Sequence, residues 1–124
     1  MSILLAVAIG SATGGVARYV LSGAIQSRQT AAFPSGTLVV NIVGSLILGA
    51  LWKHAATNPQ LSPELRVLLG AGFCGGFTTF STFSVETLDL LQNGTPWRAA
   101  SYVMLSITTG LLAATLGAKI AGRP

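Results

Sequence analysis

Residues 70–84 read Gly70-Ala71-Gly72-Phe73-Cys74-Gly75-Gly76-Phe77-Thr78-Thr79-Phe80-Ser81-Thr82-Phe83-Ser84. Four glycines precede a run of hydroxyls interleaved with phenylalanines. The Gly75-Gly76 pair weakens a helix, and Thr78-Thr79 is β-branched, with hydroxyls able to satisfy freed backbone groups. A helix break is therefore expected near Gly75 to Thr79. Past it, Phe80 and Phe83 sit three apart on one helical face, with Ser81 and Ser84 in a parallel row beside them. A phenyl ring has an electropositive edge, so rings alternating with the hydroxyls of Thr78, Thr79, Ser81, Thr82 and Ser84 make a weak host for a small anion. The plainer alternative is that the phenylalanines are core residues.

The stretch lies inside an apolar segment running from about 65 to 91, one of four, the others being about 3–25, 36–56 and 97–120. Each reaches or exceeds the roughly 20 residues that span a bilayer as a helix. Alternation of period two is absent, and lipid forbids open sheet edges, so helices are expected. The connectors carry turn residues: Phe33-Pro34-Ser35-Gly36, then Pro59 and Pro63, then Gln92-Asn93-Gly94-Thr95-Pro96. The expected fold is a single all-α domain of four transmembrane helices over residues 1–124, with helix three broken at mid-membrane. The first segment lacks a basic n-region and carries Arg18 late, so it reads as a retained helix.

Composition agrees. The chain is 51% hydrophobic and only 8% charged, where a soluble domain carries about a quarter charged residues. The net charge of +4 comes from Lys and Arg scattered singly. Cations flanking membrane segments account for it better than nucleic acid, which would need a basic patch. Cys74 is the only cysteine and His54 the only histidine, so neither a disulfide nor a His/Cys metal cluster is available. No nucleophile and base pair stands out, and an enzyme is the least supported class.

Four helices put both termini on one side, together with Lys53, Arg66, Lys119 and Arg123, against Arg28 and Arg98 on the other. So small a bias fixes orientation weakly, which permits insertion both ways and an antiparallel dimer.

Three helices carry small or polar stripes at spacing four. These are Ala6, Gly10, Gly14 and Arg18, then Thr37, Asn41, Ser45 and Gly49, then Tyr102, Ser106, Gly110, Ala114 and Ala118. Small residues let helices approach closely in lipid, so Gly10 and Gly14 are read as packing. Asn41, a carboxamide in hydrocarbon, needs a partner or a wet path, and function and structural glue both fit it. Arg18 and Glu86 are embedded charges that either pair or serve a vestibule.

The string from Gly75 to Ser84 with Glu86 resembles the signature of the Fluc fluoride channel family, also called CrcB. Gly36-Thr37-Leu38-Val39-Val40-Asn41 and Gly14-Gly15-Val16-Ala17-Arg18-Tyr19 resemble it too, and the length and four-helix plan fit the whole chain. The resemblance implies a dual-topology antiparallel homodimer in the cell inner membrane that exports fluoride passively through two pores. It implies a structural Na⁺ at the dimer interface, held by the carbonyls of Gly75 and Thr78. It implies pore roles for Asn41, Phe80 and Phe83, with Tyr102 and Ser106 as helix-four polar groups. Thr37, Ser81 and Thr82 are added as pore hydroxyls, and Arg18 and Glu86 as vestibule charges or a pair. Gly110 departs from the hydroxyl expected one turn on. The implied partners are fluoride, lipid and a second copy, with no nucleic acid and no other protein. Two other readings stand against it. A proton-coupled multidrug exporter of the four-helix dimer type wants a carboxylate deep in the membrane, which helix one lacks. A non-transporting scaffold has no need of the hydroxyl–phenylalanine run.

Overall fold

The computed structural model describes residues 1–123, and these form helices joined by short loops. α1 (Ile3–Gln26) and α2 (Ser35–Thr57) are continuous. The third span, Pro63–Gln92, is composite. It begins as α3 (Pro63–Val67), passes through a π-helical stretch (Leu68–Cys74) into α4 (Gly75–Phe77), and resumes as α5 (Phe80–Gln92). α6 (Pro96–Ala121) closes the chain. All four spans are long and apolar enough to cross a membrane.

The ends are set by local chemistry. Ser2 and Ser62 cap α1 and α3 through their hydroxyls, and Pro63 and Pro96 occupy first-turn positions where no amide is needed. Between α1 and α2 the Gln26 side chain ties the loop, donating to the Phe33 carbonyl at 3.0 Å and accepting from the Gly36 amide at 3.2 Å. Gly94, at φ +74°, takes the left-handed position after α5, and the Thr95 amide returns to the Leu90 carbonyl at 3.0 Å.

Small residues decide the packing. α1 lies along the first half of the third span, and α2 lies along α6. A Cβ on Gly72 would stand 2.9 Å from the Gly10 Cα, so those two backbones touch. A Cβ on Gly14 would strike the Phe73 carbonyl oxygen. On the other pair, a Cβ on Gly49 would sit 2.8 Å from the Ala114 Cα, and one on Gly117 would sit 2.9 Å from the Ala50 amide. Backbone approach of this kind replaces the hydrophobic drive that lipid removes. The outer faces of the helices are apolar: Leu4, Val16, Val20, Met104, Leu111 and Leu112 are all exposed.

Two features differ from the sequence expectation. Gly75 and Gly76 stay helical, and only Thr78 and Thr79 leave the helix, with ψ of 159° and 119°. The glycines serve packing instead, since a Cβ on Gly76 would come within 3.1 Å of the Ser11 Cα and the Gly15 amide. The π-helical stretch was not legible in the sequence. It covers the residues in contact with α1, where Gly70, Gly72 and Cys74 are buried.

Candidate functional site

The interruption at Thr78–Thr79 is held from α2. The Asn41 Nδ2 donates to the Thr79 carbonyl at 3.1 Å, and the Asn41 Oδ1 accepts from the Thr79 amide at 2.8 Å. In an unbroken helix that amide would serve the Gly75 carbonyl. Likewise, the Thr82 amide would serve the Thr78 carbonyl but donates to Thr79 Oγ1 at 3.2 Å, capping α5. The Gly75 and Thr78 carbonyls thus both lose their helical donors. The next carbonyl, that of Gly76, is taken by Arg18, whose Nε donates to it at 3.0 Å.

Beside the interruption, α2, α5 and α6 enclose part of a cavity of about 300 Å³. Among the residues expected from the sequence, Asn41, Thr78, Phe80, Phe83 and Ser106 line it. Phe80 and Phe83 have ring centroids 5.6 Å apart. Phe80 is 79% exposed, so the chain leaves the cavity open on that side. Ser106 Oγ is buried with no hydrogen-bond partner, which leaves a donor at the wall.

The other expected residues lie around this cavity and do not line it. Ser81 Oγ and Thr82 Oγ1 stand 3.4 and 3.0 Å from Thr79 Oγ1, with Ser81 exposed and Thr82 half-buried. Tyr102 is fully buried behind Phe83, at 5.1 Å between centroids, with Phe33 edge-on at 5.6 Å, and its hydroxyl has no partner. Thr37 Oγ1 donates to Glu86 Oε1 at 2.5 Å. A pair between Arg18 and Glu86 is not formed: Arg18 on α1 reaches α4, while Glu86 on α5 faces α2.

Ser45, Thr79, Gly44, Leu48, Ile107 and Gly110 also line the cavity, though the sequence did not point to them as site residues. Ser45 and Gly110 carried a signal in the four-spaced stripes, and Thr79 in the hydroxyl run. Leu48 and Ile107 carried none, because an apolar residue facing a cavity looks like one facing lipid. Among the described residues no group of three or more His, Cys, Asp and Glu is arranged to hold a metal.

Four spans of this length and apolar character, with polar groups turned inward at a helix interruption, define a multi-pass membrane protein. The family described as "CrcB-like protein, Camphor Resistance (CrcB)" matches residues 5–118. A protein of Geobacter sulfurreducens is 43% identical over 117 residues, covering 94% of each chain. One of Methanopyrus kandleri is 45% identical over 95% of this chain and 87% of its own, and one of Geotalea uraniireducens is 41% identical over 98% of both. All three are named fluoride-specific ion channel FluC. The chain belongs to the CrcB family.

Proposed function

We propose that this protein is a fluoride-selective channel of the cell inner membrane, working as an antiparallel, dual-topology homodimer that lets fluoride leave the cell passively. Each protomer contributes one four-helix transmembrane domain, with the helix interruption at mid-membrane. The observation that carries this reading is the cavity beside Thr78–Thr79, where amide and hydroxyl donors meet two phenylalanine rings with no carboxylate among the lining residues.

Fluoride is small and strongly hydrated, so a selective path must replace its water with donors. The second hydrogen of Asn41 Nδ2 and the Ser106 hydroxyl are such donors. The Tyr102 hydroxyl continues the row one turn back along α6, and Thr37, Ser81 and Thr82 add hydroxyls outside the cavity wall, Ser81 and Thr82 against Thr79 and Thr37 against Glu86. The edges of Phe80 and Phe83 add weak positive potential. Weakness is useful, because a conducting site must also release its ion. Arg18 and Glu86 sit at the approaches. Arg18 fixes the end of α4 through the Gly76 carbonyl, and Glu86 orients the Thr37 hydroxyl.

Dimerisation is supported by the exposed Phe80 at an open cavity wall. The even spread of loop cations allows the two orientations an antiparallel pair needs. A structural Na⁺ fits the backbone. The carbonyls of Gly75 and Thr78 are released from helical bonding, and hard oxygen donors suit a hard cation. When bound between two copies, the ion supplies positive charge that holds both interruptions together.

The test is efflux of fluoride from liposomes, followed with a fluoride electrode and with chloride as the parallel control. Rapid fluoride release with little chloride release is expected. No fluoride release from folded protein overturns the reading and moves a scaffold role, or drug–proton exchange, to the front.

A further inference from the structure

The row of hydroxyls along α6 stops at Gly110. Tyr102 and Ser106 carry buried hydroxyls without partners, and one turn beyond Ser106 the helix has a glycine. An anion moving past Ser106 in that direction meets no donor from α6. The facing helix supplies one. A Cβ on Gly110 would have a single neighbour within 4 Å outside its own helix, the Ser45 Oγ at 3.9 Å. Ser45, on α2, therefore stands across from the side chain that Gly110 lacks.

Ser45 is also where two cavities meet. It lines the cavity of about 300 Å³ beside Thr78–Thr79, and it lines a groove of about 920 Å³ that runs on between α2 and α6 to Lys53 and Lys119. Leu48 is the one other residue common to both, and it brings no polar group. Thr115 lines the groove too, but its hydroxyl already donates to the Leu111 carbonyl at 2.8 Å. Hydroxyls in apolar helices commonly fold back in this way. Thr13, Ser84 and Thr87 do the same, each donating to the carbonyl four residues earlier. Ser45 is not among them. Its hydroxyl, half-buried at the junction, keeps its proton for another acceptor.

We propose that Ser45 donates a hydrogen bond to the fluoride ion as it passes between the cavity and the groove, supplying from α2 the donor that Gly110 leaves out of α6. This rests on the channel reading of the cavity. A dehydrated anion is costly in an apolar wall, so each donor it leaves must be followed by another within reach. Leu48 and Ile107, which share that wall, offer none. Beyond Ser45 the groove is wide enough for the ion to regain water, and two lysines with no carboxylate line it. Ser45 thus stands at the last narrow step of the path on this side.

Fluoride efflux from liposomes tests this in the parent, in Ser45→Ala and in the double variant Ser45→Ala/Gly110→Ser. Ser45→Ala should slow efflux about tenfold, the loss of one hydrogen bond to a charged group, with thermal midpoint and oligomeric state unchanged. Adding Gly110→Ser should return efflux to the parent rate, because it sets a hydroxyl on the opposite wall, where the glycine leaves room for it. A Ser45→Ala channel as fast as the parent overturns the proposal. So does a deficit that Gly110→Ser leaves uncorrected, since Ser45 would then act through the packing of α2. A parent that releases no fluoride fails the channel reading and this proposal with it, whereas a conducting parent with an indifferent Ser45→Ala fails the proposal alone.

Discussion

Asn41 grips Thr79 by both backbone atoms, donating to its carbonyl at 3.1 Å and accepting from its amide at 2.8 Å. The carboxamide thereby acts as a short extended segment paired with the interrupted helix. It explains why Thr79 holds an extended conformation, at φ −151° and ψ 119°, inside an apolar span. Of the two roles left open for Asn41 by the sequence, the structural one is met by these two bonds, and the same residue also lines the cavity.

Replacement of Asn41 should therefore affect stability and flux together. Asn41→Ala removes two hydrogen bonds and strands two backbone groups, a cost of about 2–3 kcal/mol. Asn41→Asp keeps an acceptor for the Thr79 amide but sets a second oxygen against the Thr79 carbonyl. Fluoride efflux should fall at least about tenfold in both, that being about 1.4 kcal/mol of lost stabilisation along the path. Thermal midpoints in detergent and liposome efflux check this. Normal throughput with an unchanged midpoint would remove Asn41 from both roles.

The two phenylalanines should separate. Phe83 packs on Tyr102 at 5.1 Å, whereas Phe80 is 79% exposed in the protomer. Phe83→Ile should cost about 1 kcal/mol of protomer stability through the lost aromatic pair, and Phe80→Ile close to nothing. Efflux should drop in both while the oligomer persists. Unchanged efflux in both variants would take the rings out of the mechanism.

Neighbouring glycines on α1 make a paired control. A Cβ on Gly14 strikes the Phe73 carbonyl, while one on Gly15 meets nothing within 4 Å. Gly14→Ala should force α1 off the third span at a cost of about 2 kcal/mol, in the range of overpacking. Gly15→Ala should gain about 0.5 kcal/mol from helix propensity. Denaturant titration in detergent distinguishes them, and equal behaviour would contradict the close backbone contact.

Replacing Na⁺ by N-methylglucamine during purification and assay should weaken dimers and slow efflux, with recovery on adding Na⁺. A cation site made of backbone oxygens cannot be removed by changing a side chain, so the ion itself is the variable. Dimers and rates indifferent to Na⁺ across the whole range would exclude it as a structural ion.

The four spans were legible because lipid imposes its requirement directly on composition, and no other solvent suits so many consecutive apolar residues. The position of the interruption was half legible. The weak stretch from Gly75 to Thr79 announced a break, but its placement at Thr78–Thr79 depends on Asn41, which is 38 residues from Thr79 along the chain. Glycine is ambiguous by itself, since a pair of glycines that loosens a helix also lets a neighbour approach, and at Gly76 the approach of α1 prevails.

The sequence alone therefore determined that the chain lives in a membrane as four helices, and which family motif its polar and aromatic residues spell. These follow from one-dimensional properties: apolar length, spacing and residue chemistry. Tertiary structure decided which inward groups meet. It set Arg18 on the Gly76 carbonyl and Glu86 on Thr37, not on each other, and it grouped Asn41, Phe83 and Ser106 around one cavity. Such pairings depend on the rotation and depth of one helix against another, which small-residue contacts fix to within ångströms and which no periodicity along a single helix records.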